Sequence, residues 1–566
     1  MRNRKIIISS AVAVVVLIIF ICLIVVIRKN MPSREYMALS DYFNVGEGQI
    51  QLIMQDEIID IYGLYEDGEI YVNMSIVSDK LNPRFYWDSG ENKLIYTTSA
   101  AMIYTEVGSN ECYVNKRKES RDYIIVKYVD DNVYIALDYI KEYTALDYKK
   151  YDNPDRVVIN YRYNEEAEYL NPKKDTQLRY AADSKSDILE DLTQDTKLLL
   201  LEEDTGKTGY CRVMTEDGVI GYAKVDRLGK IRKETMTTDF KEEEYPHMLL
   251  DEKVNLVWHQ VTNTAANDNL PSMLEETKGV NVIAPTWFKT IDNAGNISSI
   301  ADYTYVERAH AANIQVWGLC DDFDPGMKIG KVLSSTTKRQ RLAKNLIAEA
   351  IRYSLDGINI DFENVRQENG NDFVQFIREL GIMCRNNGII LSIDNYPPAD
   401  YSQYYNRTEQ ANVADYIITM AYDEYYAGSE EAGPVSSLSY VKDAVTNTIA
   451  QVPKEQTIIA LPFYSRIWTE TTGEDGVRLK SEACSMTYAA SLASGSGADI
   501  MWDEEVGMDY IEYKENGSLR RMWIENAKSL NLKMKAVVEG NAAGMAFWKL
   551  GMENKSVWDT IVKYCN

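Results

Sequence analysis

The chain has 566 residues, 45% hydrophobic and 26% charged, enough for several packed cores and a length of about three to four domains. A net charge of −25 excludes the basic surface that nucleic-acid binding calls for. Seven cysteines without C-x-x-C spacing exclude a disulfide scaffold and the usual zinc motifs, and with only His247, His259 and His310 no histidine-rich metal site is expected, nor any cofactor.

Residues 1–35 are read as an N-terminal transmembrane anchor. Ile6–Ile27 is apolar and free of charge, long enough as a helix to cross a bilayer core of roughly 30 Å. Arg2, Arg4 and Lys5 precede it and Arg28, Lys29 and Arg34 follow, so flanking charge gives little orientation. The apolar stretch exceeds the core of a cleaved signal peptide and no small-residue cleavage site follows, which favours an uncleaved signal-anchor. The expectation is a single-pass protein of the cell membrane with the bulk of the chain extracytoplasmic, an orientation inferred in part from the function argued below.

Residues 36–170 are rich in tyrosine and short alternating runs, hence mostly β. They contain a repeat: Glu69–Val77 recurs as Asn132–Ile140, and each copy is followed by an aromatic residue, Phe85 or Tyr148, and then by Leu94-Ile95-Tyr96 or Val157-Val158-Ile159. A strand, short helix and hairpin used twice predict one small α+β domain. The segment resembles the N-terminal domain of copper amine oxidases, which brings no catalytic signature and implies a spacer or wall-contact module. Residues 171–232 form a second unit, a small β-barrel of short strands with Gly- and Asp-bearing turns. Its ending Gly218-x-x-Gly221-Tyr222 resembles bacterial Src-homology-3-like domains, which implies binding of peptidoglycan stem peptides; a spacer role is equally open. The charged stretch 231–245, closed by Pro246, is a linker.

Residues 240–566 carry eight strand-like runs separated by helix-length segments: Val254–Val261, Val280–Trp287, Ile314–Leu319, Gly357–Glu363, Ile389–Asp394, Tyr416–Tyr422, Thr457–Tyr464 and Gly544–Leu550. Strand then helix, eight times over, predicts an α/β fold with a closed (β/α)8 TIM barrel, whose chemistry gathers where strands end. The fourth run is unusual. Ile358, Ile360 and Phe362 alternate with Asn359, Asp361 and Glu363, so one face is apolar and the other acidic. In a parallel strand covered by helices, carboxyl groups on the inner face carry a burial cost that marks chemistry. Asp356 has the opposite parity and is read as closing the strand's start. His259, ending the first run, is read as a packed structural histidine rather than a cleft residue.

The segment Asp356-x-x-Asn359-x-Asp361-x-Glu363 resembles the signature Asp-x-x-Asp-x-Asp-x-Glu of glycoside hydrolase family 18, the chitinase-like barrels. Met420-Ala421-Tyr422-Asp423, Tyr464-x-Arg466-x-Trp468 and Phe547-Trp548-Lys549-Leu550-Gly551 match at the sixth, seventh and eighth strands. Pro285-Thr286-Trp287-Phe288 and Val316-Trp317 look like the branch containing bacterial spore-cortex and cell-wall lytic enzymes.

Asp361 and Glu363 are two residues apart on one strand face, so their backbones lie about 6 to 7 Å apart, which fits two carboxyl groups at one sugar. The resemblance implies a glycosidase acting on β-linked N-acetylglucosamine polymers by substrate-assisted retaining catalysis. Glu363 would be the acid, Asp361 would hold the acetamido N–H and Tyr422 its carbonyl oxygen. The substrate-binding set would be Asn359, Asp423, Trp548, Trp287, Trp317, Tyr464 and Arg466, with Trp548 flooring the pocket. Trp258, Trp287, Trp317 and Trp468 fit subsite or core equally well, and Asp423 and Arg466 fit substrate contact or support of Tyr422 and its loop equally well. Asn359 stands where the family has a middle aspartate; it cannot exchange a proton, so Asp361 should stay ionised more easily. Peptidoglycan is the preferred polymer, from the branch resemblance and the accessory modules. Chitin is the first alternative, and a non-catalytic, lectin-like sugar-binding protein the second.

Overall fold

The computed structural model describes residues 2–565 apart from 205, 474 and 475, and its described side chains exclude those of 2–11, 25–27, 30 and 473. The chain divides into two compact units, Met1–Trp87 with Tyr104–Glu242, and Asp88–Ile103 with Glu243–Asn566.

The first unit begins with a helix, Arg2–Asn30. Among the described residues no helix is long and apolar enough to cross a membrane; much of the expected span Ile6–Ile27 falls outside the described side chains. The described part, Val12 to Ile24, is exposed throughout. The two copies of the sequence repeat lie side by side: Glu69–Asn73 pairs antiparallel with Asn132–Ala136, Val72 opposite Ile135, inside an eight-stranded sheet. Residues from 166 to 235 supply a seven-stranded antiparallel sheet. Both sheets feed one apolar core, in which Ile53 and Val158 pack with Leu170, Leu178 and Val213.

The second unit is a closed barrel. Its strands are β1 Val254–His259, β2 Val282–Pro285, β3 Gln315–Asp321, β4 Gly357–Asp361, β5 Ile390–Asn395, β6 Tyr416–Met420, β7 Thr457–Pro462 and β8 Gly544–Trp548. Each pairs in parallel with the next, and β8 pairs with β1. All eight expected runs are present as strands. A feature the periodicity did not announce stands between β7 and β8: a five-stranded antiparallel sheet, Tyr464–Gly473 to Ser518–Ile524 with a helix at Met486–Gly495.

Side-chain parity sorts the barrel into two cores. Ile358 and Ile360 of β4 and Phe362 just after it point outward and pack with Leu346, Phe373 and Phe376 of the covering helices, the rings of Phe362 and Phe376 stacking at 5.8 Å. Leu256 and Trp258 of β1, Trp317 and Leu319 of β3, Ile418 of β6 and Ala546 of β8 fill the interior. Asn359 and Asp361 share that inward face, so the same alternation that buries the apolar side of β4 forces its polar side into the barrel.

The long helix Thr336–Tyr353 obtains no side-chain cap from its own N-cap residue, Ser335. The segment Asp88–Ile103, which belongs to this unit, supplies caps instead. Asp88 accepts from the Thr336 N–H at 2.6 Å, and Glu91 accepts from the Thr337 N–H at 2.8 Å and the Ser335 hydroxyl at 2.7 Å. Although burial works against ionisation, these bonds hold the Glu91 carboxyl down at about 2. Asp88→Ala should therefore lower barrel stability by about 0.5–2 kcal/mol, the usual cost of a lost cap, measured as an earlier midpoint in urea unfolding.

Candidate active site

Beyond β4 the chain carries its inward parity to Glu363, at the rim where the C-terminal ends of the strands meet. One layer below lies Asp361, 7% exposed, and below that Asn359, fully buried. Each polar atom of the Asn359 side chain has a partner. The side chain accepts from the Trp258 indole N–H at 2.9 Å and donates to Asp394 Oδ1 at 2.9 Å and to the Ser392 hydroxyl at 3.1 Å. The expectation that Asn359 touches substrate is thus corrected: every polar atom of its side chain is engaged by the strands β1 and β5.

Asp361 has the opposite character. Among the described residues its Oδ1 finds no hydrogen-bond donor although it is buried. Burial, and then the charges of Asp394, Glu363, Asp322 and Asp321, hold this carboxyl well above the ordinary carboxylate range. The amide at position 359 removes one carboxylate from this set, while burial and the remaining carboxylates still act on Asp361 together. Asp394 is also held well above its usual range by burial, with the bond from Asn359 pulling the other way. Glu363 is raised by burial and by Asp423, against a hydrogen bond from the Tyr396 hydroxyl to its Oε2 at 2.6 Å. Asp322, after β3, is pushed up to about 6 by burial, and it accepts from the backbone N–H groups of Glu363 at 3.1 Å and Asn364 at 3.0 Å. Burial and mutual repulsion thus push all four of these carboxyl groups toward the protonated form.

On the far side, Tyr422 follows β6, half-buried beside Trp548 in the inner core, its phenol held well above 10 by burial and Asp361. Its ring meets Tyr464 edge to face at 6.4 Å. The Tyr464 hydroxyl donates to Asp423 Oδ1 at 2.6 Å, and Arg466 lies 3.5 Å from the same oxygen. Asp423 holds a left-handed backbone, φ +55°. Trp548 is partly exposed and leans on buried Trp258 at 5.9 Å.

Other expected site residues lie elsewhere. Trp287 is buried in the outer core against Tyr305, its indole N–H bonded to Asn267, because β2 ends at Pro285 and the chain turns outward before it. Trp317 does face inward, but at the start of β3: it stacks on Tyr416 at 5.4 Å and donates to Gln315, at the end of the barrel opposite the cleft. Neither can reach a sugar at Glu363. Trp468 is buried with its indole bonded to the Gly433 carbonyl. His259 is a packed histidine, hydrogen bonded to the Tyr305 hydroxyl at 2.9 Å and lowered to about 4 by burial. Asp356 ties down the strand's start, accepting from Val316 N–H and His310.

Asp322, Asp394 and Tyr396 were not anticipated. A signal existed for two of them: Ser392, Asp394 and Tyr396 alternate with Ile393 as Asn359, Asp361 and Glu363 do with Ile360. Asp322 lies just past the end of β3 and owes its place to the loop, which periodicity does not reach. Among the described residues no cluster of His, Cys, Asp and Glu has the geometry of a metal site.

Residues 323–553 match the model of glycosyl hydrolases family 18, and residues 54–159 that of the copper amine oxidase N-terminal domain. The cortical fragment-lytic enzyme of Bacillus subtilis (strain 168) is 24% identical over 239 residues, 41% of this chain and 55% of that protein. An uncharacterized glycosylase of the same organism, YvbX, is 25% identical over 301 residues, 50% of this chain and 84% of that one. The chain spans about half the length of the cortical fragment-lytic enzymes it matches. Among solved structures, the Bacillus cereus spore cortex-lytic enzyme SleL superposes with a TM-score of 0.50 at 18% identity, over 57% of this chain and 77% of that one, a likeness of fold.

The raised carboxyl groups carry a stability consequence. A carboxyl whose folded-state value lies above its unfolded value near 4 costs nothing below that value, and costs progressively more as pH climbs from there toward the folded value. Asp361→Asn should therefore raise the melting temperature at pH 7.5 and leave it nearly unchanged at pH 4, as thermal denaturation at the two pH values would register.

Proposed function

With the barrel a glycosyl hydrolases family 18 domain as the premise, we propose that the chain is a membrane-anchored, extracytoplasmic glycosidase cleaving β-linked N-acetylglucosamine polymers, peptidoglycan foremost, by substrate-assisted retaining catalysis. The observation that carries this reading is Glu363 at the rim of the barrel, inclined to keep its proton, with a buried acceptor oxygen of Asp361 on the layer beneath.

In the proposed reaction the acetamido N–H of the sugar donates to Asp361 and its carbonyl oxygen accepts from the Tyr422 hydroxyl. That oxygen bonds to the anomeric carbon while the glycosidic C–O bond breaks, its electron pair going to the leaving oxygen. Glu363 delivers a proton to that oxygen and becomes a carboxylate. Water then attacks the anomeric carbon, Glu363 takes up a proton from it, and the acetamido group is regenerated. Holding the internal nucleophile in place removes much of the entropic barrier. Trp548 offers its partly exposed ring as a floor beneath the sugar, while Asp423, Tyr464 and Arg466 hold one another and the Tyr422 side of the cleft.

Peptidoglycan is favoured over chitin by the similarity to proteins named for the spore cortex. The apolar, exposed stretch Val12 to Ile24 and the uncharged sequence around it support the anchor. A wall-binding role for residues 171–232 belongs to the same reading.

Digestion of purified sacculi by the full-length chain, with the new reducing sugar identified by mass spectrometry, tests it. N-acetylglucosamine at the new ends is expected. Product from chitin oligomers alone would make it a chitinase, and binding without product from either polymer would overturn the enzymatic reading. Glu363→Gln should reduce kcat by about 10²–10⁴-fold while leaving substrate binding close to that of the parent.

A further inference from the structure

The segment after β5 is organised around the end of β4 by tyrosine hydroxyls. Tyr396 donates to Glu363 Oε2 at 2.6 Å, Tyr405 to the Phe362 carbonyl at 2.8 Å and Tyr404 to the Val365 carbonyl at 2.9 Å. Three of the four residues 362–365 are thus gripped from one side. Tyr396 is itself fixed: its carbonyl accepts from buried Arg407 at 2.7 Å, and its ring meets Tyr405 edge to face at 6.1 Å.

We propose that Tyr396 is a positioning residue for the proton transfer, holding the Glu363 carboxyl in one rotamer and receiving, through its hydroxyl, the negative charge left there when the proton departs. The inference rests on the reading of Glu363 as the acid. A phenol next to a carboxylate stays protonated at any working pH, so it is always a donor. Its bond to Glu363 is weak while the carboxyl is neutral and becomes a short charge-assisted bond once the carboxyl is ionised. Such a donor stabilises the transition state more than the ground state, as catalysis requires.

The other groups facing Glu363 act the opposite way. Asp361 from β4, Asp322 from the end of β3, Asp394 from β5 and Asp423 after β6 favour the protonated carboxyl, and the phenols Tyr405, Tyr422 and Tyr464 are neutral neighbours. Of these, only Tyr396 has a hydrogen bond to the Glu363 carboxyl among the described residues. The acid is therefore balanced between carboxylates that keep its proton on and one hydroxyl that accommodates its loss.

Tyr396→Phe in the full-length chain tests this, with N-acetylglucosamine oligomers and an aryl glycoside as substrates. On oligomers kcat should fall on the order of 10- to 100-fold, the worth of a bond to a charged group, with KM little changed. Activity is lost as pH rises through the titration of Glu363, so removing the donor should move this basic limb to higher pH. With the aryl leaving group, which needs less protonation, the loss should shrink. Tyr396→His, restoring an N–H donor, should recover part of the rate and carries the same comparison if the phenylalanine variant does not fold. A basic limb that stays in place, with equal losses on both substrates and no recovery by histidine, would overturn the inference. Glu363→Gln separates the two levels: a fully active glutamine variant sinks the acid assignment itself, whereas an inactive one beside an unmoved Tyr396→Phe profile sinks this inference alone.

Discussion

The constraint from which the rest of the site follows is the placing of carboxyl groups inside a barrel whose interior is otherwise apolar. Leucine, isoleucine and tryptophan fill the lower interior, and the polar groups begin only where Asn359, Ser392 and Asp394 form a closed layer. Desolvation then acts on every acid above that layer, and Coulomb repulsion between them adds to it. Both effects favour the protonated carboxyls. The apolar packing that makes the barrel stable and the proton affinity that makes Glu363 a usable donor have a single origin.

Asn359 is instructive within that layer. As an amide it is at once a donor to Asp394 and an acceptor from Trp258, two roles that an ionised carboxylate could not combine. It pins the indole and one acid without adding charge. The raised carboxyls are thereby Asp361, Glu363, Asp394 and Asp322, drawn from β4, β5 and the end of β3 rather than from one strand.

Much of this was legible in the sequence. Alternation in Gly357–Glu363 identified the inward face, and eight runs of strand length gave the barrel. What alternation does not encode is depth along the strand. Asn359, Asp361 and Glu363 share a parity but sit at three levels, and only the upper two face open space. Trp317 shares the inward side yet lies at the closed end, and Trp287 stands past the end of its strand, where the turn sends it into the outer core. The five-stranded insertion was hidden because antiparallel surface strands with mixed polarity resemble loops in a region expected to be helical. Tyr396 was findable by extending the period of β5 two residues beyond its last expected position, and Tyr404 and Tyr405 were not, since they act from a short irregular helix.

The caps at Thr336 give the chain's linear order a meaning of its own. Asp88 reaches a helix start 248 positions downstream, so the ribosome delivers the acceptor long before the amide it will receive. A gene fragment cut at the start of the barrel would encode every strand, and every group around Glu363, yet omit the acids that finish one of its longest helices. Shuffling this barrel into another protein as a self-sufficient cassette would have to carry that short upstream stretch with it.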